Sequence, residues 1–321
     1  MASQSWAQAM RNCAPIALFA YNRPDHLAKT LNALRANPEA QATDLFVFSD
    51  GPRDETAAPT VADVRKLLGN VPGFRSVTII NRESNYGLGK SIIDGVSTVC
   101  AKFGRVIVLE DDLVTSPFFL QYMNDGLDFY NDDIRVASVL GYALPLPVKA
   151  PETYFIRGAD CLGWATWQRA WSLFEPDGQI LLHELELTKQ SVALDLNGAL
   201  AFTQMLRDQI AGRNSSWAVR WHVSMFLRDM LTLTPHRSLV LHIGNDGSGT
   251  NFGNETLLDT VLSSERVIVR DIPVEEHIGM RQATERYYFA YKSMSARLFR
   301  RIHRTLNFFA NRHKFYFLTL L

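Results

Sequence analysis

The sequence predicts an α/β fold: a parallel sheet covered by helices on both faces, joined to a second half of different rhythm. Three observations carry that expectation. Short apolar runs alternate with helix-period segments from Ala14 to Gly141, the pattern of strands buried on both faces between helices. The conspicuous polar clusters of this half, Asn22-Arg23, Asp50, Asn85 and Glu110-Asp111-Asp112, each follow such a run, and in open α/β sheets ligands bind outside the carboxyl ends of the strands. After Gly141 the alternation gives way to short strands and aromatic-rich helices, with no internal repeat and no low-complexity linker.

The elements follow in order. "PIALFAY" (15–21) predicts a first strand, and "DHLAKTLNALRAN" a helix with Leu27, Leu31 and Leu34 on one face. "DLFVFSDG" (44–51) predicts a second strand closed by Asp50-Gly51 turn chemistry. "TVADVRKLLGNV" predicts a helix closed near Gly69, and "SVTIINR" (76–82) a third strand. "GKSIIDGVSTVCAKFG" predicts a helix ending at Gly104, and "RVIVLE" a fourth strand. "SPFFLQYMNDGLDFY" predicts a helix with Ser116 as N-cap and Pro117 in its first turn. "IRVASVLG" (134–141) predicts a fifth strand. Beyond it, "TYFIRG" and "SLVLHIG" predict short strands, and "GWATWQRAWSLF", "LAFTQMLRDQIAG" and "SWAVRWHVSMFLRDMLTL" predict helices. In the first of these, Trp164, Trp167 and Trp171 have the i, i+3, i+7 spacing of a core stripe.

Composition sets the outer bounds. The chain has 321 residues, 47% hydrophobic and 21% charged, enough for a sizeable core and ordinary for a globular protein. The formal net charge is zero, which gives no ground for a nucleic-acid partner. The charge is unevenly spread, however: residues 286–321 contain eight Lys or Arg and no acidic residue, so the rest is net acidic. Cys13, Cys100 and Cys161 are odd in number and widely spaced, which predicts reduced thiols and a cytoplasmic setting. The first fifteen residues lack the apolar core of a signal peptide, and no apolar run reaches the length of a membrane span.

The stretch "GRVIVLEDDLVTSPFFLQYMN" (104–124) raises the sharpest question, because three adjacent carboxylates follow what reads as a buried strand. Like charges that close destabilise one another unless a cation or a set of donors neutralises them. Carboxylates converging at a strand end suit Mg²⁺ or Mn²⁺; for an isolated acidic triplet a solvated turn is the commoner explanation.

This stretch resembles the DxD segment of GT-A glycosyltransferases, the N-acetylglucosaminyltransferase I type and the bacterial family-2-like sugar transferases above all. "LFAYNRPDHLAKTLNAL" resembles the first nucleotide-contacting strand and helix of that group, and "FSDG" the acidic end of its second strand. "NRESNYGLGKSI" is similar to its Asn-x-Gly-Leu-Gly segment, "GADCLGWATWQRAW" to its Gly-Trp acceptor-side segment, and "LTPHRSLVLHIGNDGSGTNFG" to its late strand and glycine-rich loop.

The resemblance implies a GT-A fold: a Rossmann-like nucleotide-binding sheet with an acceptor-side subregion. It spans 14–275, divided into a nucleotide-sugar half (14–141) and an acceptor half (142–275), with 276–321 as a basic helical tail. By the same resemblance Asp112 contacts the metal, Mn²⁺ or Mg²⁺, while Glu110 and Asp111 brace the ribose and donor sugar. Arg23 and Asp50 meet the nucleobase, and Asn85, Gly87 and Lys90 belong to the donor site. Lys90 stands at a helix start that favours anions, though a surface lysine is an equal reading. Gly163 and Trp164 are the acceptor residues.

An inverting transferase needs a carboxylate to take the acceptor proton. In the N-acetylglucosaminyltransferase I group it lies in a Trp-Asp-Asp stretch, whose nearest match here is "SSWAVRWH", with Ala218 in place of Asp. The remaining candidates are Asp160 and Asp246, with His222 as another base and His242 as a late metal ligand. Trp217 and Trp221, at i, i+4, read as core.

The implied function is transfer of a sugar from a nucleotide-diphosphate donor to a hydroxyl of a glycan or lipid-linked acceptor, with inversion, in surface polysaccharide assembly. The basic tail fits peripheral contact with an anionic inner membrane, and partner docking equally well. Two rivals stay open: a sugar-nucleotide-forming nucleotidyltransferase, although "FAYNRPDH" lacks the glycine-rich loop expected there, and a degenerate transferase that only binds sugar nucleotides or glycans.

Overall fold

In the computed structural model, residues 13–247 and 260–292 are described. Among them eight strands form the main sheet, in the order β3-β2-β1-β4-β8-β6-β9-β7. The first part is the expected parallel half. Ile16–Ala20 (β1) lies between Asp44–Ser49 (β2) and Arg105–Glu110 (β4), with Ser76–Asn81 (β3) outside β2, all parallel. Every residue of β1 is buried, as are the middle four of β4, whereas β3 alternates between exposed and half-buried positions as an edge strand does.

The connecting helices are Pro24–Arg35 (α1), Ala58–Leu68 (α2) and Leu88–Phe103 (α3). The first buries Leu27, Leu31 and Leu34, the stripe read from the sequence. The third closes at Gly104, whose φ of 77° is the left-handed conformation that glycine adopts without strain.

Beyond β4 the sheet stops being parallel. Trp164–Trp167 (β8) runs antiparallel to β4 and to Val136–Leu140 (β6). Leu231–Pro235 (β9) is parallel to β6, and Thr153–Arg157 (β7) closes the edge antiparallel to β9. The segment "GWATW" is therefore a strand, not part of a helix, and only Gln168–Trp171 (α5) is helical. All four residues of β8 are buried because the strand is threaded between two others. Trp164 and Trp167, three apart in a strand, point to opposite faces. Trp167 Nε1 donates to the carbonyl of Leu127 in Phe119–Phe129 (α4), and Trp164 packs with Trp171, Trp217 and Trp221 on the other side. The α4 helix begins two residues later than expected: Phe118 is its N-cap, and Ser116 Oγ accepts from the Phe118 amide at 3.3 Å in the turn before it.

A small antiparallel pair follows the carboxylates directly. Leu113–Thr115 (β5) pairs with Val240–His242 (β10), Leu113 facing His242. A helical lobe, Gly178–Leu187 (α6), Ser191–Leu194 (α7), Phe202–Ile210 (α8) and Ala218–Leu227 (α9), has its own apolar core of Leu181, Leu185, Leu206, Val223 and neighbours. It joins the main core through Trp217, Trp221 and Met225. Ile278–Lys292 (α10) ends the described chain. The basic segment beyond it and the rest of the glycine-rich loop lie outside the described residues. No described helix is long and apolar enough to cross a membrane, and the three cysteines are free.

Candidate donor-binding site

The strand order brings the carboxyl ends of β3, β2, β1 and β4 side by side along one rim. The three carboxylates end β4, and the segment after β1 supplies the answer to their charge. Arg23 Nη2 lies 2.5 Å from Asp111 Oδ1 and 2.8 Å from Asp112 Oδ2, one guanidinium bridging two carboxylates. The second Asp111 oxygen accepts from the Tyr21 amide at 3.1 Å, and Thr30 Oγ1 donates to the Asp111 carbonyl at 2.8 Å. Asp111 and Asp112 are both buried.

From the other side β10 delivers His242, whose Nε2 lies 3.3 Å from Asp112 Oδ2. The Ile243 amide donates to the Asp112 carbonyl at 2.9 Å. Gly244 then passes so close that a Cβ there would stand 2.4 Å from Asp112 Oδ2. His26 on α1 bonds both the Ile243 carbonyl (3.3 Å) and Asp246 Oδ2 (3.2 Å) through Nε2.

The charges are divided by environment. Burial, with the neighbouring Asp112 and Asp111 charges, pushes the Glu110 carboxyl up to about 8, so it holds its proton at neutral pH. Burial also raises Asp111, against the pull of Arg23. Burial works against ionisation at Asp112 too, but the His242 hydrogen bond and Arg23 hold it below the ordinary carboxylate range. Three buried carboxyl groups thus meet the one guanidinium of Arg23 at this rim.

Among the described residues no group of three or more His, Cys, Asp or Glu side chains converges in a way that could hold a metal ion. Asp112, in the turn before β5, and His242, at the end of its partner β10, nevertheless form an oxygen–nitrogen donor pair. That pair fits a Mn²⁺ or Mg²⁺ ion that takes the rest of its shell from phosphates and water.

A second cluster stands at the ends of β2 and β3. Asp50 is buried and accepts from the amides of Gly51, Tyr86 and Gly87 and from Asn85 Nδ2. Lys90 Nζ sits 4.1 Å above the Tyr86 ring, with Arg82 4.4 Å from the same ring.

Asp160 is exposed just beyond β7, its Oδ1 accepting from the Cys161 amide at 2.6 Å. Burial raises the Cys161 thiol, with the Asp160, Glu110 and Asp112 charges adding to it. Gly163 has φ 62°, and its carbonyl accepts from the Gly141 amide at 2.6 Å. Trp164 is only 1% exposed, inside the tryptophan cluster, and offers no face to a sugar; the acceptor role inferred for it is corrected to a core role. Asp246 is 50% exposed on its side chain and paired to His26. Ala218 opens α9 without a carboxylate, and His222 Nδ1 lies 2.7 Å from the Ala159 carbonyl under the Phe202 ring. Sequence reasoning missed Tyr21, Thr30 and Gly244: the first two act through groups that nearly every segment carries, and only the glycine left a signal, in "HIGNDG".

Comparison with known proteins bears on this geometry. The family model described as glycosyl transferase family 2 matches residues 16–162. No curated protein matches. Among solved structures, a mannosyltransferase from Pyrobaculum calidifontis, in complex with GDP-Man and Mn²⁺, is 13% identical with a TM-score of 0.29. That match covers 43% of this chain and 41% of the other. A mycobacterial protein is likewise 13% identical, with a TM-score of 0.32, over 56% of this chain and 63% of its own. The chain thus spans about two fifths and three fifths of those two proteins, and at such TM-scores neither carries an argument.

Proposed function

We propose that the chain, whose residues 16–162 match the model of glycosyl transferase family 2, is a glycosyltransferase of GT-A fold that moves a sugar from a nucleotide-diphosphate donor to a hydroxyl of a glycan or lipid-linked acceptor. The observation that carries this reading is the convergence of Arg23, Asp112 and His242 from three separate segments at the carboxyl end of β4.

Asp112 and His242 would hold Mn²⁺ or Mg²⁺. Bound there, the ion would supply positive charge to the leaving diphosphate, worth more in the transition state than in the ground state. Arg23 orders Asp111 and Asp112 and keeps a cation against the phosphates' side of the rim. Glu110, protonated at neutral pH, can donate to a donor-sugar or ribose oxygen, while Asp111 accepts from one. Asp160, exposed just beyond β7, is the favoured base for the acceptor hydroxyl, and inversion follows from a single displacement. Asp246, tied to His26, is the second candidate.

The reading extends to a cytoplasmic enzyme of surface polysaccharide assembly that touches the inner membrane peripherally through its basic tail. The test is turnover, slow donor hydrolysis included, with a panel of UDP-, GDP-, CMP- and dTDP-sugars in Mn²⁺ and in EDTA. Metal-dependent release of one nucleotide is expected. Asp112→Ala should lower that rate on the order of a hundred- to a thousandfold, the scale of losing one preorganised charge-stabilising group. Equal rates in EDTA would remove the metal from the account.

A further inference from the structure

The basic tail follows Lys292, and the last contacts before it tie α10 to the helical lobe. Arg281 Nη2 donates to the Ala193 carbonyl at 3.2 Å, Asn197 Nδ2 to Glu285 Oε2 at 2.9 Å, and Lys292 Nζ to the Gly198 carbonyl at 3.0 Å. With the 3.6-residue turn of an α-helix, Arg281, Glu285 and Lys292 fall on one side of α10, so that side lies along residues 193–198. Ile278 and Phe289 fall on the same side, yet they are 56% and 43% exposed. Val192, next to Ala193 in α7, is 67% exposed.

The lobe segment is held in a strained shape. Leu196 and Asn197 have φ of 46° and 55°; asparagine tolerates the left-handed region, whereas leucine is strained there. Buried Leu194 and the bond from Arg157 Nη2 to Gln190 Oε1 fix the segment from within. Between it and α10 runs an open groove of about 360 Å³, lined by Asn197, Ile278, Arg281, Gln282, Glu285 and Arg286. It offers side-chain N–H donors beside an apolar residue.

The charges indicate what covers this edge. Lys189, Arg286 and Lys292 are exposed. Acidic groups nearby are engaged: Glu186 with Arg207 at 3.1 Å, Glu276 with Arg281 at 3.5 Å, and Asp195 with the Thr203 amide at 2.8 Å. The 29 residues after Lys292 hold six Lys or Arg and no acidic residue. A run of one sign complements an extended surface of the opposite sign, such as an anionic leaflet, better than the mixed charges of a folded partner.

We propose that Val192, Ile278 and Phe289 form an apolar edge on the folded body that enters the headgroup layer of an anionic bilayer beside the root of the tail. The inference rests on the peripheral-membrane reading above and adds a second contact to it. One weak signal binds a bilayer marginally, and stable anchoring takes two. Because α10 is bonded to the lobe at three points, the edge also orients the body on the surface, which a tail alone does not.

The test is sedimentation of the full chain with vesicles of phosphatidylcholine and phosphatidylserine. Wild type is compared with the triple variant Val192→Ser, Ile278→Ser, Phe289→Ser. All three positions are exposed, so the variant should keep its melting temperature and its turnover on a water-soluble acceptor. Its partition coefficient should fall on the order of tenfold, the equivalent of about two buried methylene groups. In Phe289→Trp, brominated lipids should quench fluorescence beyond the wild-type level, and this variant still decides the matter should the triple one not fold.

Equal partition of wild type and triple variant, with no added quenching, would overturn the inference and leave the tail as the membrane contact. Self-association of wild type that the triple variant loses, again without added quenching, would overturn it too and make the edge an interface between copies of this chain. If wild type does not sediment with these vesicles, the peripheral-membrane reading itself fails, and the edge with it.

Discussion

Glu110, Asp111 and Asp112 coexist because burial and Arg23 divide their charges between them. Burial and two like neighbours keep the proton on Glu110, and a single guanidinium bridges the other two. The acidic triplet was legible in the sequence; its counter-ion was not, because Arg23 lies 88 residues upstream of Asp111 and nothing in the local pattern announces a bond across two strands. His222 shows the same limit. As a lone histidine it gave no sign that Phe202 would stack on it at 4.4 Å and that the Ala159 carbonyl would accept a hydrogen bond from its Nδ1–H. Burial holds this imidazole below its ordinary value of 6.5. The unfolded chain therefore binds a proton first as pH falls, and the stability present above 6.5 is lost as pH drops through the folded value. Urea unfolding at about pH 5 and about pH 7.5 should show a smaller acid loss for His222→Gln than for wild type, whereas an equal loss would assign the acid sensitivity to other groups.

Elements were read best where one local rule decides them. β1, β4 and α1 follow from apolar runs and period, and Gly104 ends α3 because a left-handed residue is needed there. β8 was misread because its tryptophan spacing satisfies a helical stripe equally well. What makes it a strand is the gap between β4 and β6, a tertiary fact absent from its own four residues. The burial of Trp164 and Trp167 was nonetheless legible, since either periodicity puts them in a core.

Two glycines separate conformation from packing. At Gly104 an added Cβ meets nothing within 4 Å, so Gly104→Ala should cost only the strain of φ 77°, about 1 kcal/mol. At Gly163, with φ 62°, a Cβ would lie 2.7 Å from Val240 Cγ1; overlap adds to strain, and about 2–4 kcal/mol is expected. Denaturant midpoints of the two variants check both values. Gly163→Ala should also weaken donor binding, since Val240 begins the strand that carries His242; full donor affinity in that variant would uncouple β10 from the site.

At the scale of the molecule, the order β3-β2-β1-β4 sets the ends of four strands in one row, and the antiparallel β8 then turns the sheet into a second region that carries Asp160 and the helical lobe. The parallel half and its polar rim could be read from alternation alone; the mixed half could not, because its strands pair out of sequence order. The acidic body and the cationic tail also divide at this scale. Residues 293–321 hold six of the eight Lys and Arg that follow position 285. Deleting them should abolish sedimentation with anionic vesicles, at about 1 kcal/mol per cation near such a surface, and leave turnover on a water-soluble acceptor intact. Equal sedimentation of the two forms would place any membrane contact elsewhere.

The central claim is that Asp112 and His242 form a metal-dependent site for a nucleotide-diphosphate sugar. The most direct measurement is the melting temperature of wild type, Asp112→Ala and His242→Ala with UDP-, GDP-, CMP- and dTDP-sugars, each in Mn²⁺ and in EDTA. The account predicts that one nucleotide family raises the wild-type midpoint by about 5 °C at a hundredfold excess over Kd, only with the metal, and that both variants lose the shift. A shift that survives EDTA or Asp112→Ala, or no shift with any donor, would contradict it.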